Sequence, residues 1–285
     1  MKMKKLILLL SIIMLSSFVY CQKDAYIIYN SKGRKVSYKK MIRQLKKQDV
    51  VLFGEFHNNP ISHWLQYEVS KNLNEERNLI LGAEMFEADN QTFLTDYVKG
   101  KITFEQLDSL ARLWPNYKTD YAPLVDFAKE NDLEFIATNI PRRYARMVHK
   151  QDFTSLDSLS TKEKAWIAPL PIAFDPELPT YKMIIEMMGD HASPKLVKAQ
   201  AIKDATMAHF ILKNFKENHL FLHYNGAFHS DYYQGILWYL KNENKDLKYS
   251  TISTVSQENV SKLKEENEGK ADFIICVDLD MTTTY

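Results

Sequence analysis

Cysteine is almost missing from this chain, with two in 285 residues. Cys21 ends an apolar leader and Cys276 lies inside the apolar run Phe273 to Val277. An internal disulfide framework is therefore excluded, and the core must hold the fold together. An excess of one charge is missing too: 37 basic residues stand against 36 acidic ones. Nucleic acid is accordingly not an expected partner, because its recognition needs a concentrated basic face. The apolar run Leu6 to Tyr20 is too short for a membrane span, which takes roughly 20 residues. No internal repeat, low-complexity tract or clear linker interrupts the rest.

What the N-terminus does have is the layout of a secretory signal. Lys2, Lys4 and Lys5 precede an apolar stretch broken only by serines. Cleavage after Cys21, with Val19 and Cys21 at the small-residue positions, is favoured over lipidation of Cys21. Bulky Tyr20 stands where a lipoprotein site wants a small residue. The expected organisation is a signal peptide at 1–21 and one exported domain at 22–285, periplasmic or at the cell surface. The membrane surface becomes a partner only if Cys21 carries a lipid. Removing 1–21 takes away three lysines and no acids, leaving 34 basic and 36 acidic residues. The basic run Arg34 to Lys47 alternates with Tyr38, Met41, Ile42 and Leu45 at helical spacing and reads as a solvated helix face. Cys276 reads as a buried small hydrophobe.

Short apolar runs alternate with helical patterns. Val50 to Phe53, Leu79 to Ala83, Leu133 to Ala137 and Leu220 to His223 read as buried strands, with Ala25–Tyr29, Tyr249–Val255 and Phe273–Val277 completing a sheet. Helices are expected at Tyr38–Lys47, from Pro60 to Leu73, at Gln91–Val98, Phe104–Leu113, Ala122–Asn131, Arg142–His149, Thr161–Ile167, Thr180–Met188, Pro194–Phe215 and Tyr232–Leu240. Ser193 and Pro194 form a helix start. The fold class is α/β: a central, mostly parallel sheet flanked by helices, with a helical insertion over about residues 90–215.

The residues after these strands are not ordinary loop composition. The first parallel strand delivers Gly54-Glu55-Phe56-His57, the second Glu84-Met85-Phe86, the third Asn139-Ile140-Pro141-Arg142, and the fourth Asn225-Gly226-Ala227-Phe228-His229. In an open parallel sheet the ligand crevice lies beyond these carboxyl ends. Glu55, His57, Glu84 and His229 are ligand types for a divalent metal such as Mn, Fe, Co or Zn. The same groups could instead act as base, acid and orienter. Arg142 offers a fork for a carboxylate, whether of a substrate or a haem propionate. It could equally close a buried structural ion network with Glu55 and Glu84. Gln200 and Asp204 share a helix face with Met207 and Ala208, so two polar groups there need partners.

In this order the motifs resemble the haem-binding ChaN-like family of the Tiki superfamily. The match runs through Gly54-Glu55-x-His57 with Asn58, Asn59 and Pro60, then Glu84-Met85-Phe86 with Asp89 and Gln91, then Asn139-x-Pro141-Arg142. Gln200 with Asp204, and Asn225-Gly226-x-x-His229, continue it. The resemblance implies an α/β fold with a helical subdomain, a haem cofactor and a place in haem or iron uptake. It also implies a tyrosine as iron ligand, for which Tyr144 and Tyr181 are the candidates. Arg142, His191, Gln200, Asp204 and Asn225 would line the same ligand site. Met183, Met187 and Met188 beside His191 could form a soft slot for a macrocycle, although ordinary core packing explains them better. Related branches include metal-dependent proteases and, more distantly, erythromycin-esterase-like hydrolases. The alternative reading is thus a metal-dependent hydrolase of a small-molecule or peptide ligand, with Glu55, His57, Glu84, Arg142 and His229 as catalytic groups. No isolated Ser or Cys nucleophile stands out, so hydrolysis would use water. The pattern also allows a homodimer. Two departures stand out: Asn58 where an acid is usual, and Ala227-Phe228 before His229.

Overall fold

Val50–Glu55 forms a strand buried at every position, as expected where both edges and both faces are covered. A computed structural model describes residues 23–189 and 193–285, so the expected signal segment with Cys21, and His191, lie outside the described residues. The strands are β1 (Tyr26–Asn30), β2 (Val50–Glu55), β3 (Asn78–Glu87), β4 (Glu134–Asn139), β5 (His219–Gly226), β6 (Tyr249–Gln257) and β7 (Phe273–Asp278). They make one sheet in the order β1-β7-β6-β2-β5-β3-β4. Only β1 runs antiparallel, against β7. The expected α/β class, mostly parallel with flanking helices, is the one found.

The helices are α1 (Tyr38–Leu45), α2 (Pro60–Asn74), α3 (Gln91–Val98), α4 (Phe104–Leu110), α5 (Ala122–Glu130), α6 (Arg142–Gln151), α7 (Thr161–Lys164), α8 (Pro179–Met188), α9 (Pro194–Asn214) and α10 (Ile236–Glu243). Alternate strand residues feed opposite faces. Val51, Phe53, Leu79 and Leu81 pack with Leu65, Val69, Leu94 and Leu124 of α2, α3 and α5. Val50, Leu52 and Ile80 pack with Met207, Ile211, Leu237 and Leu240 of α9 and α10. Among the described residues no helix is long and apolar enough to cross a membrane. Cys276 is a free, buried thiol on β7, pushed up to about 11 by burial.

Helix starts follow the local chemistry. Asn59 accepts from the Ser62 amide ahead of Pro60, and Ser193 accepts from Leu196 ahead of Pro194. Three helix bounds differ from the sequence expectation by three residues or more. Helix α10 starts at Ile236 rather than Tyr232, because Tyr232, Tyr233 and Gly235 have φ of 56°, 62° and 53°, which no α-helix admits. Helix α7 stops at Lys164. Helix α4 stops at Leu110, after which Ala111 is extended. That early stop lets the following segment carry Trp114 to the carboxyl edge of the sheet.

Candidate functional site

Strand register brings the motifs together. In the β2–β5 pair Glu55 lies beside Gly226, and in β3–β5 Ala83 lies beside Tyr224, one residue before Glu84 and Asn225. Three strands therefore end in line with Glu55, Gly226 and Glu84 at one edge. Gly226 lets the His57 ring pack closely: a Cβ would stand 2.9 Å from Cε1 and from Nε2 of His57, so the ring would have to shift.

Glu55 is buried under a full set of partners. His57 Nδ1 lies 2.8 Å from Oε1, the Tyr121 hydroxyl donates to Oε1 at 2.8 Å, and Gln66 Nε2 donates to Oε2 at 2.5 Å. The His57 backbone carbonyl accepts from Asn116 Nδ2 at 3.1 Å and lies 3.1 Å from His63 Nε2. The His57 ring meets Trp114 edge-on, with centroids 4.9 Å apart. Its Nε2 has no hydrogen-bond partner among the described residues and borders the crevice. Burial works against the His57 cation, but the Glu55 hydrogen bond and the charges of Glu84 and Glu55 outweigh it and raise its pKa.

His229 sits between two acids. Its Nδ1 is 2.5 Å from Asp204 Oδ1 and its Nε2 is 3.1 Å from Glu84 Oε1. Burial penalises the imidazolium, yet these two carboxylates push its pKa up to about 9. Burial would likewise raise Glu84, but His229, then His57 and Lys203, hold it well below the usual carboxylate range. Glu84 Oε2 also accepts the Gly226 amide at 2.8 Å. Asp204 accepts from the Tyr181 hydroxyl at 3.0 Å. Burial leaves its carboxyl raised despite His229, and Asp204 and Glu84 together face the imidazolium. Gln200 Nε2 lies 2.9 Å from His229 Nδ1. Asn225, behind the edge, donates to Ser230 Oγ at 3.0 Å, and its Oδ1 lies 3.1 Å from His223 Nδ1. His223, further in, is lowered to about 4 by burial.

These groups floor a crevice of about 730 Å³. Its walls are Trp114, Ile184, Leu196, Phe228, Met187 and Met188, with Arg142 and Lys203 as its cations. Phe228, Met188 and Met187 are 41%, 42% and 65% exposed. Asn139 Oδ1, on the same wall, is buried with no hydrogen-bond partner among the described residues, so a ligand or ordered water is needed to satisfy it.

Residues 41–240 match the family described as haem-binding uptake, Tiki superfamily, ChaN. The chain belongs to the ChaN family. The structure of ChaN of Campylobacter jejuni, solved with cofacially bound haem, is similar with a TM-score of 0.66 at 19% identity, covering 89% of this chain and 97% of that one. A Bacillus cereus protein follows with a TM-score of 0.50 at 12% identity over 88% of this chain and 94% of that one. The erythromycin esterase EreC in its open conformation gives 0.49 at 10% identity over 89% and 97%. Among curated proteins, RETICULATA-RELATED 5, chloroplastic, of Arabidopsis thaliana is 26% identical over 132 residues, 44% of this chain. That match spans only 18% of the plant protein.

Within this ChaN-family chain the candidate residues separate. Glu55, His57, Glu84, His229, Gln200 and Arg142 line the crevice. Asp204, Asn225 and Tyr181 stand behind it as buried partners. Tyr144 is buried between α6 and α7, where its hydroxyl donates to Glu163 Oε1 at 2.9 Å. As placed, neither tyrosine hydroxyl faces the crevice. Arg142 closes no ion network with Glu55 or Glu84: it is exposed, and the neighbouring Arg143 makes the ion pair, with Asp89 at 2.7 Å. The four expected metal ligands do not form a coordinating set. Among the described residues no group of three or more His, Cys, Asp or Glu side chains could hold an ion. The physical reason is that His229 and Glu84 spend their ligating atoms on each other, on Asp204 and on the Gly226 amide, leaving His57 Nε2 alone. Sequence reasoning did not mark Tyr121 or Trp114. Tyr121 and Trp114 reach the site from the segment between α4 and α5, which carries no motif.

Proposed function

We propose that this chain is an exported haem-binding protein of haem or iron uptake, taking the porphyrin into the crevice beyond the strand ends. The observation that carries the reading is the crevice wall itself. Phe228, Met187, Met188 and Trp114 present apolar surface around a cavity with two cations at its rim. Exposed apolar groups clustered at one concave site mark a ligand surface. The family match and the haem-bearing Campylobacter jejuni relative support the same ligand. When bound, haem would supply an iron that takes a nitrogen, sulfur or oxygen donor from the protein. In this chain His57 Nε2 and the thioethers of Met187 and Met188 are the donors bordering the crevice. Glu55 would fix the His57 ring so that Nε2 points outward. Titration of the purified protein with haemin should give a saturable Soret shift near one equivalent per site. A shift no larger than that seen with an unrelated near-neutral protein refutes the reading.

A second reading rests on a different observation, the Glu55–His57 pair with its outward Nε2. That arrangement can take a proton from water as the water oxygen attacks a carbonyl carbon. Arg142 and Lys203 would face the developing oxyanion. Because the described residues supply no metal-coordinating set, such hydrolysis is expected to persist in the presence of a chelator. Release of p-nitrophenol from p-nitrophenyl acetate, unaffected by EDTA and abolished in His57→Ala, is its expected mark; equal rates in both proteins reject it.

A further inference from the structure

Residues 279–285 follow β7 and run along the carboxyl edge of the sheet, outside both of its hydrophobic layers. The Leu279 amide donates to the Gln257 carbonyl at the end of β6, and Met281 turns back onto Asp278. The Thr284 amide then donates to the Asn58 carbonyl at 3.0 Å, one residue beyond His57. Because the strands lie in the order β7-β6-β2, the segment crosses the end of β6 to reach the end of β2. Its far end is latched there. Thr284 Oγ1 donates to Asp120 Oδ2 at 2.8 Å, and that buried carboxylate also accepts from Asn116 Nδ2 at 2.6 Å and lies 3.6 Å from His63 Nε2. Hydrogen bonds to a charged group are stronger than neutral ones. Past the latch, Tyr285 lines the crevice together with His57, Asn58 and Trp114. The rest of the segment is loosely held. None of residues 279–285 is buried, and Thr282 and Thr283 make no backbone hydrogen bond among the described residues. Segments with so few buried contacts open more readily than the core.

We infer that residues 279–285 form a strap across the mouth of the crevice, with Thr284 as the latch that must let go before a ligand enters or leaves. The inference rests on the reading of the crevice as the haem site. Thr284 ties together the two segments that bear His57 and Trp114, one after β2 and the other between α4 and α5. Opening breaks the two hydrogen bonds of this single residue and carries Tyr285 away from the mouth, while the sheet stays as it is. Thr282 and Thr283, exposed and unbonded, supply the hinge. Such a gate acts on rates. It slows entry and release by the same factor and leaves the equilibrium where the ligand's own contacts set it, whereas loss of a contact residue shows chiefly in release.

The test measures both rates on four proteins: the wild type, Thr284→Val, Thr284→Ser, and Thr282→Val as a control on the same segment. Stopped-flow mixing with haemin gives the entry rate, and transfer from loaded protein to an excess of an apo-globin gives the release rate. Thermal melts confirm that each variant is folded, since Asp120 keeps its Asn116 donor. Losing one hydrogen bond to a charged group changes the open population by about tenfold or more. Thr284→Val should therefore speed entry and release together by about tenfold, with Kd unchanged within about twofold. Thr284→Ser keeps the hydroxyl and Thr282→Val leaves the latch alone, so both should keep the wild-type rates. Unchanged rates in Thr284→Val, a change in one rate alone, or the same acceleration in Thr282→Val overturns the strap while leaving haem binding standing. Haemin that fails to bind the wild type overturns the haem reading, and the strap with it.

Discussion

Raising the pH from 6.5 to 8.5 should weaken the folded state by about 2 kcal/mol through His229. In the unfolded chain its imidazole titrates near 6.5, while in the fold Glu84 and Asp204 hold it at about 9. A pKa raised by folding means stability that is fully present below 6.5 and lost as the pH climbs through the folded value. At 1.36 kcal/mol per unit the whole effect is roughly 3 kcal/mol, of which about 2 falls within the window. Other groups that face this network are separable. His57 is raised as well and adds with the same sign, less strongly because its ring is partly solvated. His223, lowered to about 4 in the fold, regains about 0.4 kcal/mol of opposite sign as its unfolded imidazole finishes titrating, and Asp231 at about 6 adds about 0.2 kcal/mol of the same sign as His229. Cys276, at about 11 in the fold, adds a few tenths of a kcal/mol of the same sign near pH 8.5, where the unfolded thiol begins to ionise, and that part is unchanged in a His229 variant. Urea denaturation at pH 6.5, 7.5 and 8.5 reads the effect as a falling midpoint at constant m. His229→Gln leaves Glu84 buried without its counter-ion, so it should start about 3 kcal/mol lower and respond less to pH. His57→Gln isolates the smaller contribution. A wild type whose stability is flat across the window, or a His229→Gln protein that keeps the wild-type slope, refutes the buried imidazolium.

Two further substitutions address the partners. Tyr181→Phe deletes the hydroxyl that donates to Asp204 and should cost about 1–3 kcal/mol in a thermal melt; an unchanged melting temperature would show that the hydroxyl does not stabilise that carboxyl. Gly226→Ala places a Cβ 2.9 Å from the His57 ring, so the ring should leave Glu55 and its NMR-detected pKa should fall toward the ordinary value near 6.5. An unmoved titration curve would mean that the ring does not pack on Gly226.

Much of this site was legible in the sequence because its parts follow apolar runs that can only be buried strands. Glu55, Glu84 and His229 were placed at one edge by that logic, and the parallel register aligned them. Gln200 and Asp204 were legible as polar groups on a buried helix face, and their partners proved to be His229 and Tyr181. Arg142 was legible as a crevice residue with two readings, a fork for a ligand's carboxylate or a partner of Glu55 and Glu84, and it lines the crevice without pairing with either acid. One residue of helical rotation sends it to the crevice rim and hands the ion pair with Asp89 to Arg143. Tyr144 and Tyr181 were chosen by position relative to motifs, and periodicity cannot say that their hydroxyls turn inward. Trp114 and Tyr121 were missed because they lie on irregular backbone, an extended stretch and a single π-type turn, which no hydrophobic period announces. The late start of α10 was hidden for a similar reason: positive φ at Tyr232 and Tyr233 is imposed by tertiary packing, against residue preference.

The haem crevice is tested most directly by a crystal structure of the protein loaded with one equivalent of haemin. Porphyrin density should lie between Trp114 and Phe228 beyond the ends of β2, β3 and β5. Porphyrin on any other surface, with the crevice filled only by solvent, would contradict it.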